Sequence, residues 1–425
     1  AQNFKQALQS ELSATNPGIL FSIKSGDGKL NWSGAAGIND LKLGDSLQVR
    51  QTFRIASVTK TYVAAAILRL MEKKVLRLED PISTHLSPAH AAILAQDYDL
   101  EKITIQQILR HSAGFFDHTN APEFFGKVFA TPDYEWTRTL QLQLGVEKGD
   151  PIGPPGNQFS YSDMGYVILG ELIETYTGKS LDGGIKELLG LEKLGLDQTD
   201  FERMDPQTDQ LRIHQYFQGK DTYNFSPTMD YYGGGGILST TAELTDFFQA
   251  LFQGKIFDKP STLVQMLEWG SYASKPKLDY GMGMYKVQVK GMEAYCHSGF
   301  WGTQVLYISK LDLYLAANYS GAWGGGSVAP IFEKVLNALE EANPKKPHLA
   351  NIFKTNNKQI PKLLKSAVLY GEQICKYHRG RYSSVLDPGI SCHAGLAHGL
   401  DQSSERIGTV FQPLADPKAV SAIVR

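Results

Sequence analysis

Apolar positions recur at helical spacing from the start of the chain, over residues 4–14. Two short apolar-rich runs follow, 18–24 and 30–37, separated by Ser25-Gly26-Asp27-Gly28. Runs of that length on either side of a Gly/Asp turn predict a pair of strands. Over 56–76 the apolar residues, among them Val58, Val63, Ala64, Ile67, Leu68 and Met71, occupy most faces of a helical wheel. A helix apolar all round is expected to be buried. From about 80 to 270, short helical patterns alternate with Gly/Pro loops. Within them Thr240-Thr241-Ala242-Glu243 predicts a capping box opening a helix through Leu251, with Glu243 reaching back to the cap. Strand patterns return at 280–288, 304–309 and 313–319, and a last helix is predicted over 328–339. This order predicts an α/β (α+β) architecture: one antiparallel sheet drawn from both ends of the sequence, flanked by helices, with an α-rich lobe over about 80–270. The cleft between the lobes is the expected place for a site.

Composition narrows the function classes. The 425 residues are 42% apolar and carry a net charge of −2, ordinary for a globular chain and no footprint for nucleic-acid binding. No apolar run is long enough for a membrane span. The chain opens Ala1-Gln2-Asn3 without Met, from which an exported, periplasmic or extracellular location is expected. After Pro344 Lys and Arg outnumber Asp and Glu, the apolar patterning fades, and Asn343-Pro344-Lys345-Lys346-Pro347 reads as a linker. We therefore divide the chain into a body, 1–342, and a basic extension of unknown role, 343–425. His378, His393 and His398 with Cys375 and Cys392 match no standard zinc spacing, and Cys375 and Cys392 could pair if the protein is exported.

Three stretches could carry chemistry. In Ser57-Val58-Thr59-Lys60, positions i and i+3 of a helix share a face, so hydroxyl and amine can touch. A serine hydroxyl becomes a good nucleophile when a neighbour takes its proton. The plainer reading is a helix cap followed by a surface Lys, which the apolar surroundings disfavour. Pro154-Pro155-Gly156-Asn157-Gln158-Phe159-Ser160-Tyr161-Ser162-Asp163 delivers Tyr161 and Asp163 just before an apolar helix over 165–176. Either Ser162 or Asp163 caps that helix, or the Tyr161 oxygen relays a proton, shifted towards phenolate by two nearby cations. Cys296-His297-Ser298-Gly299-Phe300-Trp301-Gly302 is either a Gly turn with a buried His or a place where substrate approaches the backbone N–H groups. Cys296 reads as a small core residue rather than a nucleophile.

The three stretches, in this order, resemble the S-x-x-K, Y-x-N and K-T-G or H-x-G triplets of the penicillin-recognising serine hydrolases. The branch is that of class C β-lactamases, D-Ala-D-Ala carboxypeptidases, D-aminopeptidases and esterases. Ile108-Leu109-Arg110-His111-Ser112-Ala113-Gly114-Phe115, Gly234-Gly235-Gly236-Ile237-Leu238-Ser239-Thr240 and Tyr280-Gly281-Met282-Gly283-Met284 are similar to further segments of that family. The resemblance spans roughly 5–342 and implies the β-lactamase/DD-peptidase-like fold and hydrolysis of an amide or ester through an acyl-Ser57 intermediate. Lys60 and Tyr161 would share the general-base role, and His297 would stand in the third triplet. Asp163, Ser298, Gly299 and Phe300 would line the substrate and oxyanion site, with the N–H groups of Ser57 and Phe300 as donors. No metal or organic cofactor is implied.

Asp163 departs from the family's usual Asn. Asn can donate to a substrate carbonyl, whereas an ionised Asp only accepts. Beside Lys60 it would favour the ammonium and repel the carboxylate of a penicillin or of a D-Ala-D-Ala terminus, unless it turns away to cap the helix. The expected partner is a small-molecule or peptide substrate, no nucleic acid and no membrane span, with oligomeric state open. A carboxylesterase of the same fold, and a penicillin-binding or sensor module that acylates without turnover, are the alternatives.

Overall fold

The computed structural model describes residues 2–202, 211–270, 272, 279–321 and 328–342. The expected extension, 343–425, with its Cys375, Cys392 and histidines, lies outside the described residues.

One sheet comes from the two ends of the body. Its strands are β1 (Gly18–Ser25), β2 (Asn31–Gly37), β8 (Tyr285–Val289), β9 (Met292–Gly299), β10 (Thr303–Ile308) and β11 (Leu313–Tyr319), in the order β2-β1-β11-β10-β9-β8, every pair antiparallel. The first and last strands of the body pair directly, from Ile19 opposite Tyr319 to Ser25 opposite Leu313. Side chains alternate across a strand, so one face collects Ile19, Phe21 and Ile23 with Cys296, Leu306, Leu315 and Ala317. Helix α1 (Gln2–Gln9) covers that face with Phe4 and Leu8, and α11 (Pro330–Glu341) with Phe332, Val335 and Leu336. The opposite face, which carries His297 and Gly299, lies against α9 (Thr241–Phe252), where Phe252 meets Tyr307 at 4.4 Å between ring centres. Helix α9, expected in the α-rich lobe, is thus part of the sheet lobe.

Between the strands run α2 (Thr59–Glu72), α3 (Pro88–Leu94), α4 (Ile105–Leu109), α5 (Pro122–Ala130), α6 (Arg138–Lys148), α7 (Asp163–Thr177), α8 (Leu181–Leu189) and α10 (Pro260–Met266). The helix expected over 56–76 is a 3₁₀ turn, Ala56–Val58, followed by α2, and the chain leaves it at Lys74 with φ +59°. Every α2 side chain from Thr59 to Leu68 is buried, as its all-round apolar pattern requires.

Two local expectations change. Thr240 caps α9 by accepting from the Glu243 N–H at 3.2 Å, but the Glu243 carboxylate does not reach back to the cap. It accepts instead from Thr199 Oγ1 at 2.6 Å and from the Gln198 N–H, so a tertiary partner outcompetes the local box. The strand expected over 280–288 begins only at Tyr285, because Gly281-Met282-Gly283 turns tightly, with Gly281 N–H donating to Met284 O at 2.8 Å.

The short strand β3 (Phe53–Arg54) leads into Ser57 and belongs to a small sheet, β3-β7-β4, with β7 (Ile237–Ser239) and β4 (Asp200–Phe201). It is clamped by buried charge. Glu202 accepts from Arg54 Nε at 2.6 Å and Arg54 Nη2 at 2.9 Å, and pairs with Arg212 Nη1 at 2.6 Å. Arg54 also donates to the carbonyls of Thr222 and Phe225 at 3.2 and 2.6 Å, joining the nucleophile strand to the neighbouring hairpin, β5 (Tyr216–Phe217) and β6 (Lys220–Asp221). Glu202→Ala would leave two buried guanidinium groups without their carboxylate. It is expected to cost about 3–5 kcal/mol of stability, read as a lowered urea midpoint.

Candidate active site

The 3₁₀ turn and first turn of α2 place Ser57 and Lys60 on one face, with Lys60 Nζ donating to Ser57 Oγ at 2.9 Å. Lys60 is fully buried, so its charge needs partners. It donates to the Gly234 carbonyl at 2.7 Å and pairs with Asp163 Oδ1 at 2.5 Å. Two of these contacts are hydrogen bonds and the third is a close ion pair. Asp163 therefore faces the site rather than turning away, although it is also the first residue of α7. Burial alone would raise its carboxyl, but Lys60, with weaker help from His118 and His297, holds it below the usual carboxylate range.

Tyr161 arrives on the loop before α7, with Lys60 Nζ lying 5.0 Å from its ring centre and the Ser57 hydroxyl in interaction range of its phenol. The expected shift towards phenolate does not occur. Burial, and after it the charge of Asp163, push the phenol well above its ordinary value, and the Ser57 contact opposes this only weakly. His297 supplies no positive charge to it either. Burial and Lys60 drive His297 down to about 3, so its imidazole is neutral. His297 Nδ1 donates to Ser298 O at 2.9 Å, which leaves Nε2 to accept from the Tyr280 hydroxyl at 3.3 Å.

Gly299 ends β9 against the peptide that introduces Ser57. A Cβ there would lie 2.1 Å from Ile55 O and 3.2 Å from Ala56 Cβ, so only glycine lets the strand approach this closely. The approach puts Phe300, whose N–H is an expected oxyanion donor, beside the turn that carries Ser57. Ser298 joins the site through its backbone only. By alternation its hydroxyl lies on the α1/α11 side of the sheet, where it accepts from Gln304 Nε2 at 2.8 Å. Its expected substrate contact is not made by the side chain. Cys296 is a buried thiol on that same side, pushed by burial up to about 12, which agrees with a core role.

Sequence reasoning left several neighbours without a role. His111 supports the Tyr161 loop: its carbonyl accepts from the Ser160 N–H at 2.7 Å and its Nδ1 from the Ser162 N–H at 3.2 Å. Its ring lies 4.1 Å from that of Tyr161. The Gly114 carbonyl accepts from the Ile152 N–H at 2.9 Å, so the 108–115 segment is the template on which the Pro/Gly loop is laid. The carboxyls of Asp117, which is buried, and of Asp230, which is half-buried, were missed altogether. Burial, with the charge of Asp163, raises each to about 7. An acidic residue within an apolar stretch such as Met229-Asp230-Tyr231 is the signal that could have found the second.

A family model described as Beta-lactamase matches residues 12–330. The chain belongs to the β-lactamase family. Penicillin-binding protein 4* of Bacillus subtilis (strain 168) is 26% identical over 290 residues, 63% of this chain and 59% of its own. Teichoic acid D-alanine hydrolase of Staphylococcus aureus (strain NCTC 8325 / PS 47) is 22% identical over 300 residues, 69% of each chain. The match spans little more than half the length of several curated relatives, between 53% and 59% for four of them. Among solved structures, a D-stereospecific amidohydrolase from Streptomyces sp. superposes with a TM-score of 0.66 at 24% identity, over 79% of this chain and 97% of its own. D-amino acid amidase from Ochrobactrum anthropi SV3 does so with 0.67 at 18%, over 80% and 99%. At these identities the structural likeness speaks for the fold: the β-lactamase/DD-peptidase-like arrangement of antiparallel sheet and helices.

The contact between Gly299 and Ile55 yields a sharp expectation. Gly299→Ala must push β9 away from the nucleophile turn, and kcat should fall by about 10²-fold or more, the scale of one lost oxyanion donor, in any assay that depends on Ser57.

Proposed function

We infer that the protein hydrolyses amide or ester bonds through an acyl-Ser57 intermediate, and that the preferred acyl group bears a free amine. The observation that carries the first half is the Lys60 ammonium 2.9 Å from Ser57 Oγ and 2.5 Å from Asp163, with Tyr161 beside the same hydroxyl.

With Lys60 held between Ser57, Gly234 and the Asp163 carboxylate and the Tyr161 phenol protonated, neither group serves as a free base at rest. A relay fits both facts. Ser57 Oγ bonds to the carbonyl carbon while its proton moves to the Tyr161 oxygen. The Tyr161 proton moves in turn to the leaving nitrogen or oxygen, so the phenol ends neutral. The carbonyl electrons go to an oxyanion held by the N–H groups of Ser57 and Phe300, and collapse of that centre breaks the bond to the leaving group. Water then repeats the sequence in reverse, returning a proton through Tyr161 to Ser57. The Lys60 ammonium stabilises charge on Ser57 Oγ throughout. His297 contributes as a neutral ring that orients Tyr280 and the end of β9.

Asp163 and Asp230 support the second half. Among the described residues no hydrogen-bond or ion-pair partner is seen for the Asp230 carboxyl, which lies over the Gly235 backbone and within the field of Lys60 and Asp163. An incoming ammonium supplies a counter-ion where a penicillin's carboxylate meets repulsion. The names of the relatives, D-amino acid amidase and teichoic acid D-alanine hydrolase, both describe acyl groups with such an amine, and extend the reading to D-aminoacyl amides and esters. Export to the periplasm or the outside would suit such substrates.

Ser57→Ala should abolish turnover of both D-alanine p-nitroanilide and p-nitrophenyl acetate, and Tyr161→Phe should lower kcat by about 10²–10⁴-fold. Measurable turnover by the Ser57 variant rejects the mechanism. Asp163→Asn should shift preference towards the carboxylate-bearing nitrocefin relative to the acetate ester, and an unchanged ratio would mean that Asp163 does not act on substrate.

The pH profile follows from the directions of the shifts. His297, at about 3, and His111, also depressed, are neutral at ordinary pH, so neither contributes a step in the histidine range. Asp163, depressed, keeps its charge until the pH falls below the ordinary carboxylate value. Asp230, at about 7, is protonated below that value and ionised above it. For the D-alanine anilide, kcat/KM should therefore rise through about pH 7, and Asp230→Asn should remove that rise.

A further inference from the structure

Beside the nucleophile lies an aromatic surface that the acyl-transfer chemistry does not use. Phe300, next to the Gly299 contact, is 44% exposed. Its ring lies 4.9 Å from that of Phe217 on the β5–β6 hairpin and 5.5 Å from that of Phe125 on α5. Phe217 continues to Phe129 at 5.6 Å and 16° between ring planes, while Phe300 is tilted from Phe217 by 35° and from Phe125 by 28°. Phe125, Phe129 and Phe217 are each half-buried. Behind them the cluster is closed by Phe124, Trp136, Phe225 and Trp301, and it includes Ala56, the residue before Ser57.

At the far end of this row the surface drops into a pocket of about 440 Å³ whose walls include Phe129, Tyr216 and Phe225. Lys42 and Lys220 stand at its rim, with Asp221 between them in the lining. The Asp221 carboxylate is taken by His214 Nδ1 at 2.8 Å, and the Tyr216 hydroxyl accepts from the Leu41 N–H at 2.9 Å. Among the described residues neither lysine has a carboxylate within ion-pair distance; Lys220 lies 5.2 Å above the Phe129 ring. The pocket thus offers apolar walls and two lysines that form no ion pair among the described residues, reached from the oxyanion residue along a track of rings.

We propose that this track and pocket form a substrate subsite that binds an extended apolar arm ending in an anionic group. The proposal rests on the reading of Ser57 as the acylated residue and adds what the rest of the substrate looks like: an arm that leaves the reacting carbonyl beside Phe300, stacks along Phe217 and Phe129, and presents a carboxylate or phosphate to Lys42 and Lys220. Flat or aliphatic groups suit half-exposed stacked rings. An anion suits lysines that have no ion pair among the described residues, and the charge it meets there is opposite to that of Asp163 at the nucleophile end. The substrate would therefore be read by charge at both ends.

The test is a calorimetric titration of the folded chain with phenylvalerate and with phenylpentanol, which share ring and chain and differ in the terminal charge. The carboxylate should bind about tenfold more tightly at low salt, as two exposed ion pairs would give, and the difference should vanish in a Lys42→Ala/Lys220→Ala variant. Phe129→Ala should weaken both ligands alike. A phosphate-ended analogue run in parallel shows which anion is preferred. Equal affinities, no measurable binding of either ligand, or a preference that survives the double variant each overturn the proposal. Turnover of p-nitrophenyl acetate, measured on the same samples, separates the two readings. Binding with the predicted preference but without Ser57-dependent turnover leaves the subsite standing and removes the hydrolase. Turnover without the preference does the reverse. The double variant should keep its acetate turnover, which also shows that it is folded.

Discussion

A fully buried ammonium is the constraint around which this molecule is built. Lys60 is enclosed by α2, α7 and the glycine run before β7, and the free energy of holding a charge there is offset mainly through Ser57, Asp163 and Gly234, with the rings of Tyr161 and Tyr166 alongside. Those three partners come from distant parts of the sequence. Satisfying one side chain therefore fixes the mutual placement of the nucleophile turn, the start of α7 and the Gly234 carbonyl. The Arg54–Glu202–Arg212 cluster repeats the arrangement one step outward, where a second buried charge network holds the strand that delivers Ser57.

The sheet, its strand membership and the burial of α2 were legible because their periodicities are strong and no tertiary partner competes with them. The same holds for the pairing of hydroxyl and amine at i and i+3, which is a property of helix geometry. What the sequence did not carry were quantities set by the surroundings. Tyr161 was expected to lean towards phenolate, yet depth of burial and the carboxylate of Asp163 move it the other way. Glu243 was expected to close a local box, but Thr199 and Gln198 lie within its reach once the chain is folded. Ser298 sits in the right triplet and on the wrong face, a distinction of one residue in strand parity. The aromatic track could not be read at all, since Phe125, Phe217 and Phe300 lie in three separate segments and become neighbours only in three dimensions.

Asp163 draws these threads together. A single oxygen-for-nitrogen exchange relative to the family's usual Asn leaves the backbone position and the helix start in place, yet it sets a carboxylate 2.5 Å from Lys60 and raises the phenol of Tyr161. It also makes the nucleophile end of the cleft attractive to cations. Chemistry of the acyl-transfer type survives this because a neutral phenol can pass one proton in while passing another out. On the proposed reading, specificity changes while the reaction class stays.

The direct pairing of β1 with β11 has a further consequence, for biogenesis. The ribosome releases Ser57 and Lys60 long before it makes the strand that completes their sheet, and the two ends of the body must find each other across the whole intervening helical lobe. A partly synthesised chain would hold its nucleophile without β9, hence without His297, Gly299 or the Phe300 N–H. Competence for acyl transfer thus arrives in one step, late in synthesis, and a half-made chain is spared from acylating itself on whatever reactive carbonyl is at hand.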